Sequence, residues 1–368
     1  ILQLWRKAHG KTRTMVWAAM ITSLVVGGTF LWAESFASAV YRQDHTRIQA
    51  SKWIFQNIPS PFHLTLETVQ GTQFIPVGAP DGLEINPGIP YAANFIAPAS
   101  GALTGLTLPH AGSLDQSGAL HIAITPAGTD SPLTELVLPV DSLQPGSIGN
   151  EVTGQFPPTG LQAGQTYTLT ASVQAQEPPV LVSRNVVSNE DWDEGLPLPM
   201  LGYDPYGQFY RGTTMNVRWY DDENKKQMFL KTIAETDYII LPSQRAIWSA
   251  SRIPVTYPMT LDYYRALFNG SLGFDLVASF SAPLKLGPLE ISDVGGTAAW
   301  NQTPELPLFN NNLLAAEEAF SVYDHPPVWI FKKRADFNIQ AVQAILDQAD
   351  LSKVVVQSPR DATLLPVQ

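Results

Sequence analysis

No cysteine occurs among the 368 residues. That absence excludes disulfide frameworks, thiol nucleophiles and zinc–thiolate sites, although it leaves the compartment open. Charge is scarce as well: Asp, Glu, Lys and Arg make up 15% of the chain, with 22 basic residues against 33 acidic. At a formal net charge of −11 nothing neutralises phosphates along a groove, so nucleic acid is excluded as a partner. Also missing are the G-x-S-x-G elbow, the H-E-x-x-H zinc helix, the Walker loop, the dinucleotide glycine fingerprint and a calcium-loop spacing. A self-contained hydrolase or nucleotide enzyme is therefore poorly supported. No cofactor and no metal ligand are expected.

What the chain does contain is a long apolar run near its start. Residues 15–32 read MVWAAMITSLVVGGTFLW, eighteen positions without a charge. This is near the short end of what crosses a hydrocarbon core of about 30 Å. Trp17 and Trp32 stand near its two ends, where indoles favour the interface. The run is too long for the apolar core of a signal peptide, and no small-x-small cleavage site follows it. A buried core helix is the bland alternative. Arg6, Lys7, Lys11 and Arg13 precede the run, whereas Glu34 follows it. The bias of positive charge predicts a cell-membrane protein with residues after about 34 on the extracytoplasmic side. The first residue is Ile1, so the chain is expected to be processed or to continue a longer protein, with ILQLW as the tail of an earlier span.

Beyond the run, composition divides the chain. The expected class is a membrane helix followed by an α+β soluble part, in which an antiparallel, jelly-roll-like β-sandwich is inserted into a mixed α/β domain. Residues 1–43 form the cytoplasmic edge and membrane helix. Residues 44–61 form a juxtamembrane helix belonging to the α/β domain, with Asp44 as its N-cap and Ala50, Trp53, Ile54 and Ile58 on one apolar face. Residues 62–183 are the sandwich: LTGLTL, ALHIAITP, LTELVLPV and TYTLTASV alternate between turn signals. Leu161, then Tyr167, Leu169 and Ala171 after a turn at Gly164, point to one face. Residues 184–335 alternate strand and helix, and residues 336–368 end in a helix and tail. Within residues 185–335 the expected strands are NVVSNE, MNVRWYDD, TDYIILPS, GFDLVASF and a proline-broken pair in SVYDHPPVWIFKK. Helices are expected at ENKKQMFLKTIAE and TLDYYRALFNG, the latter ending at Asn269–Gly270.

Three stretches carry candidate chemistry. In NEDWDEGLP, either Glu190, Asp191, Asp193 and Glu194 bind a divalent cation or sugar hydroxyls around Trp192, or the stretch is a solvated strand end that turns at Gly195. YDDEN has the same ambiguity, and Asp221 or Asp222 as a helix N-cap accounts for it without chemistry. LPSQRAIWSASRIP places Arg245 and Arg252 in a loop after a buried strand, at the end where α/β domains hold ligands. The two arginines either hold a phosphate, carboxylate or lipid headgroup, or pair with the acidic stretch. His325 is the most base-like residue of this region, with a rigid strand break as the alternative. In the sandwich, Phe74, Tyr91, Phe95 and Tyr167 are read as packing rather than sugar-stacking residues.

In order, SKWIFQNIP, NEDWDEGLP, DYIILPSQR, RIPVTYPMTLDYYRALFNGSLGF and EEAFSVYDHPPVWIFKK resemble the C-terminal part of the YYY-type polytopic membrane proteins. These are grouped with the GT-C glycosyltransferases. The resemblance covers residues 45–60 and 185–335. It implies a multi-pass protein acting on polyprenyl-phosphate sugars, with its catalytic carboxylate in an early extracytoplasmic loop outside this segment. No catalytic residue therefore carries over. The partners it implies are the lipid bilayer, a polyprenyl-phosphate sugar or surface glycan, and other membrane subunits. The rival reading is a non-catalytic anchored accessory protein that binds glycan or another membrane complex.

Overall fold

A computed structural model describes residues 2–191, 195–199, 205–286, 289–294 and 319–357. Its first element, helix α1 (Leu2–Tyr41), is 40 residues long. At 1.5 Å per residue that is roughly 60 Å, twice the hydrocarbon thickness. The apolar run is outward-facing, with Leu24 77% and Phe30 67% exposed, so it is not a core helix. By length and composition α1 is able to cross a membrane. Its C-terminal turns find protein: Phe36, Ala39 and Val40 pack against Leu284, Ile291 and Phe320.

Helix α2 (Thr46–Asn57) follows after a break of four residues. Its N-cap is His45, not Asp44: the His45 ring accepts from the Arg47 N–H. Asp44 instead accepts from Lys52 at 2.5 Å. Ala50, Ile54 and Ile58 are buried on the expected face.

Ten strands then build two antiparallel sheets. They are β1 (Phe62–Thr68), β2 (Gly71–Val77), β3 (Leu83–Ile85), β4 (Tyr91–Ile96), β5 (Gly101–Ser113), β6 (Gly118–Pro126), β7 (Thr134–Val140), β8 (Asn150–Leu161), β9 (Thr166–Ser172) and β10 (Val180–Ser183). One sheet has the order β2-β1-β5-β10-β3, with β8 also on β5; the other is β4-β9-β6-β7. They share one core, to which Leu64, Leu66, Leu103 and Leu106 come from the first sheet and Ile122, Ile124, Leu138 and Leu169 from the second. Each such side chain contributes about 1.5–3 kcal/mol by leaving water. The alternation at Tyr167, Leu169 and Ala171 is inward, and the Gly164 turn has φ +75°. The expected packing aromatics do pack: Phe95 stacks on Tyr167 and Tyr91 on Phe62.

The remaining chain forms a mixed sheet of β11 (Asn185–Glu190), β12 (Tyr210–Met215), β13 (Tyr238–Leu241), β14 (Phe274–Phe280) and β17 (Val328–Lys333). Its order is β12-β11-β13-β17-β14. β11 is parallel to both neighbours, whereas β17 is antiparallel to β13 and β14. A small hairpin, β15 (Leu284–Leu286) and β16 (Leu289–Ile291), lies beside α1. Helices α3 (Glu223–Glu235), α4 (Arg245–Ser251), α5 (Pro258–Phe268) and α6 (Ile339–Leu346) complete the chain. One face of the sheet packs on α3, α4, α5 and α6 through Phe229, Ile247, Tyr263 and Val342. The other packs on α2 through Ile54 and Ile58.

Three expectations are corrected. The strand expected at MNVRWYDD is YRGTTM, just upstream, because Val217 and Arg218 turn out of the sheet to donate their N–H groups to Asp191. The loop after β13 contains α4, whose start is fixed by the Arg245 N–H donating to Ser243 Oγ. In SVYDHPPVWIFKK only VWIFKK is a strand; residues Phe320–Asp324 coil into a π-helical turn, because Pro326 and Pro327 cannot donate to a ladder.

The sandwich and the mixed sheet are stitched where the chain passes between them. Asn185 Nδ2 donates to the Pro59 carbonyl at 2.8 Å. The buried Arg184 guanidinium donates to the carbonyls of Ala79, Tyr206 and Gly207. His110 of β5 reaches Asp237 at 2.9 Å, and Asp237 also accepts from the Val186 N–H.

Candidate functional site

The three parallel strands end on the same side of the sheet, at Glu190, Met215 and Leu241. Because β17 runs the other way, its first residues pair with the end of β13, Trp329 opposite Leu241. The π-helical turn preceding β17 is therefore brought to the carboxyl end of the parallel strands. Helix α2 begins there too: Thr46 Oγ1 donates to the Pro326 carbonyl at 2.6 Å and Arg47 Nε to that of Pro242 at 3.1 Å. The C-terminal turns of α1 arrive through Phe36, 5.8 Å from the Phe320 ring. Three regions distant in sequence, the α1–α2 junction, the loop after β13 and the turn before β17, thus meet near the end of α1.

At their centre two imidazoles lie side by side. The His45 and His325 ring centroids are 4.9 Å apart at 37°. His325 is 2% exposed, stacks on Phe320, and neither ring nitrogen has a hydrogen-bond partner among the described residues. Burial pushes its pKa below the ordinary histidine value, against the charge of Asp324. The His45 pKa is lowered by burial, then by His325 and Arg47, with Asp324 opposing. His45 Nδ1 accepts from the Arg47 N–H at 3.1 Å, so its proton resides on Nε2. Arg245 lies over the Tyr323 ring at 5.5 Å. The imidazole pair, with Arg47 beside His45 and Arg245 over Tyr323 in the turn that carries His325, is suited to an anion, whose charge favours protonation of the pair.

The sequence candidates separate accordingly. Arg245 and His325 come together through Tyr323. Arg252 is two turns along the same side of α4, its guanidinium over Trp248 at 5.8 Å. Glu190 is 4% exposed and accepts from Tyr264 Oη at 2.5 Å, facing the helix-covered side of the sheet. Trp192 and Asp193 lie outside the described residues. Asp191 accepts from Arg218 Nε at 3.1 Å and from two backbone N–H groups, which accounts for it structurally. Asn189 does the same work: its amide accepts from the Leu196 N–H and donates to the Leu196 carbonyl, holding the turn that ends in the cis Leu196–Pro197 bond. Beside it, burial pushes the Tyr206 hydroxyl up to about 12. Sequence reasoning missed His45, which it passed over in favour of Asp44. Its signal was the DHTR stretch, a histidine and an arginine directly after the membrane run. No group of three or more His, Asp or Glu side chains able to hold a metal occurs among the described residues.

A second concavity lies between α2 and the sandwich. It encloses about 300 Å³ and is lined mainly by Phe55, Phe74, Phe95 and Pro98, with Lys52 and Gln56 at the rim. Gln56 is occupied: its amide pairs with both backbone groups of Phe74 on the edge strand β2.

No protein-family model and no curated protein matches the chain. Among solved structures, it is similar over 33% of its length to CsCBM6-3 from Clostridium stercorarium in complex with cellobiose, covering 77% of that chain at 13% identity and TM-score 0.18. A family 6 carbohydrate-binding module from Clostridium cellulolyticum in complex with xylose aligns with 34% of the chain and 87% of its own, at 12% identity and TM-score 0.19. A cycloisomaltooligosaccharide glucanotransferase from Paenibacillus sp., complexed with cycloisomaltoheptaose, aligns with 35% of the chain and 17% of its own, at 11% identity and TM-score 0.21. At these levels of identity and superposition the likenesses carry no functional argument.

Proposed function

We propose that this chain is the membrane-anchored, extracytoplasmic C-terminal portion of a multi-pass protein of the GT-C type, with its catalytic residues outside this segment. In this reading the jelly-roll-type sandwich is an insertion into the mixed α/β domain. The face formed by His45, Arg47 and Arg245, backed by the buried His325, receives the phosphate of a polyprenyl-phosphate sugar. The observation that carries the reading is the convergence of the end of α1, the start of α2 and the strand-end loops on one basic, histidine-bearing face beside the membrane helix. A guanidinium–phosphate contact is charge-assisted and about twice as strong as a neutral hydrogen bond.

These 368 residues hold no cysteine, so a thiol introduced into them, compared with the unsubstituted protein, reports the topology of this segment. Val69, which is fully exposed, is replaced by Cys and challenged in intact cells with a membrane-impermeant maleimide. Labelling without permeabilisation supports the extracytoplasmic placement, and labelling only after permeabilisation refutes it. Binding is tested with farnesyl phosphate and the detergent-solubilised chain. The Arg245→Ala/Arg252→Ala double variant should bind at least tenfold more weakly with little change in Tm. Unchanged binding with a large fall in Tm leaves the arginines a structural role only.

A glycan-binding accessory role is the second reading, supported by the phenylalanine-lined cleft beside α2. Phe74→Ala should then weaken retention on immobilised oligosaccharide while the R245A/R252A variant leaves it unchanged.

A further inference from the structure

A cavity of about 430 Å³ lies between the outer end of α1 and the strand entering β15. Its polar lining is Glu34, Ser35, Ser38 and Gln43 from α1 and its end, and Ser281 and Lys285 from the opposite wall. Neither the histidine pair nor the phenylalanine cleft contributes to it. The Ser35 hydroxyl is buried, the residue being 7% exposed, and has no hydrogen-bond partner among the described residues. A buried hydroxyl without a partner costs about 1–3 kcal/mol, so a group that supplies one is favoured there.

The depth of the cavity identifies the kind of ligand. The charge-free run ends at Ala33, next to Glu34, and Leu31 forms part of the cavity wall. Counted from Ala33 at 1.5 Å per residue, Ser35 lies about 3 Å, Ser38 about 8 Å and the helix end at Tyr41 about 12 Å beyond it. The headgroup layer of one leaflet begins where the hydrocarbon ends and is roughly 5–8 Å deep. Glu34, Ser35 and Ser38 therefore lie at headgroup level and Gln43 just outside it, while Leu31 continues into the exposed apolar surface of α1 at Leu24 and Phe30. The lining is three hydroxyls, one amide and one carboxylate, groups that hydrogen-bond a polyol. Lys285 adds one ammonium for a phosphate. Glu34 does not repel that phosphate as a bare charge, because Arg42 Nη1 pairs with it at 2.5 Å.

We infer that this cavity holds the headgroup of an anionic phospholipid whose phosphate carries a hydroxylated substituent, of the phosphoglycerol kind. The phosphate meets Lys285 and the Ser35 hydroxyl, the headgroup hydroxyls meet Glu34, Ser38 and Gln43, and the acyl chains run down α1 from Leu31. The inference rests on the reading that α1 spans the membrane, and that reading is checked separately by retention of the full chain in alkaline-washed membranes.

The test titrates the full chain in detergent with dioctanoyl phosphatidylglycerol, dioctanoyl phosphatidylcholine and glycerol 3-phosphate, followed by native mass spectrometry. A one-to-one phosphatidylglycerol adduct is expected at a concentration at least tenfold below that needed for phosphatidylcholine. Ser35→Ala and Lys285→Gln should each weaken it by roughly three- to tenfold, as loss of one hydrogen bond or charge contact does. Lys285 is exposed, so its variant leaves the fold intact. Equal retention of both lipids, or indifference to both substitutions, overturns the site. Glycerol 3-phosphate competing at the same concentration as the lipid overturns the lipid as its source. Loss of the chain from washed membranes refutes the membrane reading instead.

Discussion

Acid should destabilise this protein in a way that the buried His63 makes measurable. His63 lies on β1 where α2 meets the sandwich, 3% exposed and stacked on Phe74 with centroids 5.0 Å apart. Its Nδ1 accepts from the Ser60 N–H at 3.4 Å and its Nε2 faces the Gln56 carbonyl at 3.3 Å. Both contacts are met by the neutral ring with its proton on Nε2. Burial holds the pKa down to about 4, the Gln56 carbonyl opposing. The folded pKa lies below the unfolded value, so this stability is present above about pH 6.5 and is lost as pH falls toward 4. At pH 5 the unfolded ring is almost wholly protonated and the folded ring about a tenth so, a loss of about 2 kcal/mol, or roughly 4–8 °C in Tm. Thermal unfolding of wild type and His63→Gln at pH 7 and pH 5 isolates the effect, since glutamine keeps the donor to Gln56 and does not titrate. The wild-type Tm should fall by that much more than the variant's. An NMR midpoint for the His63 ring near the ordinary 6.5, or equal acid sensitivity of the two proteins, would refute the reasoning.

The latch between the two sheets has the opposite pH dependence. Burial disfavours charge on His110, but the hydrogen bond and charge of Asp237, with the Gly149 carbonyl, outweigh it and raise the pKa. Its stability is complete below about pH 6.5 and disappears as pH rises through the folded pKa, so His110→Gln should cost about 1.5–3 kcal/mol at pH 6 and less at pH 9 by chemical denaturation. The Lys225–Asp221 pair is fully buried, with Lys225 Nζ also reaching Thr260 Oγ1 at 2.7 Å. Asp221→Asn or Lys225→Met alone should cost about 3–5 kcal/mol, and the double variant Asp221→Leu/Lys225→Met much less than the sum, by urea unfolding. Tyr264→Phe removes the hydroxyl that donates to the buried Glu190 and should cost about 2–3 kcal/mol, whereas an effect within 0.5 kcal/mol means that the carboxylate does not depend on it.

Features set by local chemistry were legible from the residues. Asp222 caps α3 by accepting from the Lys225 N–H, because a short acidic side chain before a helix satisfies an otherwise orphaned donor. α5 stops at Asn269 because Gly270 takes φ +79°. The strand alternation of β5, β6, β7 and β9 was visible because one face of each is buried and the other is not. Glycine in YRGTTM hid β12, a strand held by its parallel partner rather than by its own propensity, and only Asp191 shows why the chain leaves the sheet after Met215.

The candidate face was half legible. Arg245 and His325 were marked by position, since the carboxyl ends of parallel strands leave backbone and loops open to a ligand. Nothing in the sequence joins His45 to His325, 280 residues apart, because the antiparallel course of β17 and the docking of α2 decide that contact. Likewise the apolar run by itself determines that α1 is long and hydrophobic enough to span a bilayer, a property of composition and length. That its C-terminal end meets a polar cavity and a pair of imidazoles is decided only by tertiary packing, where distant segments are brought together by the cores they share.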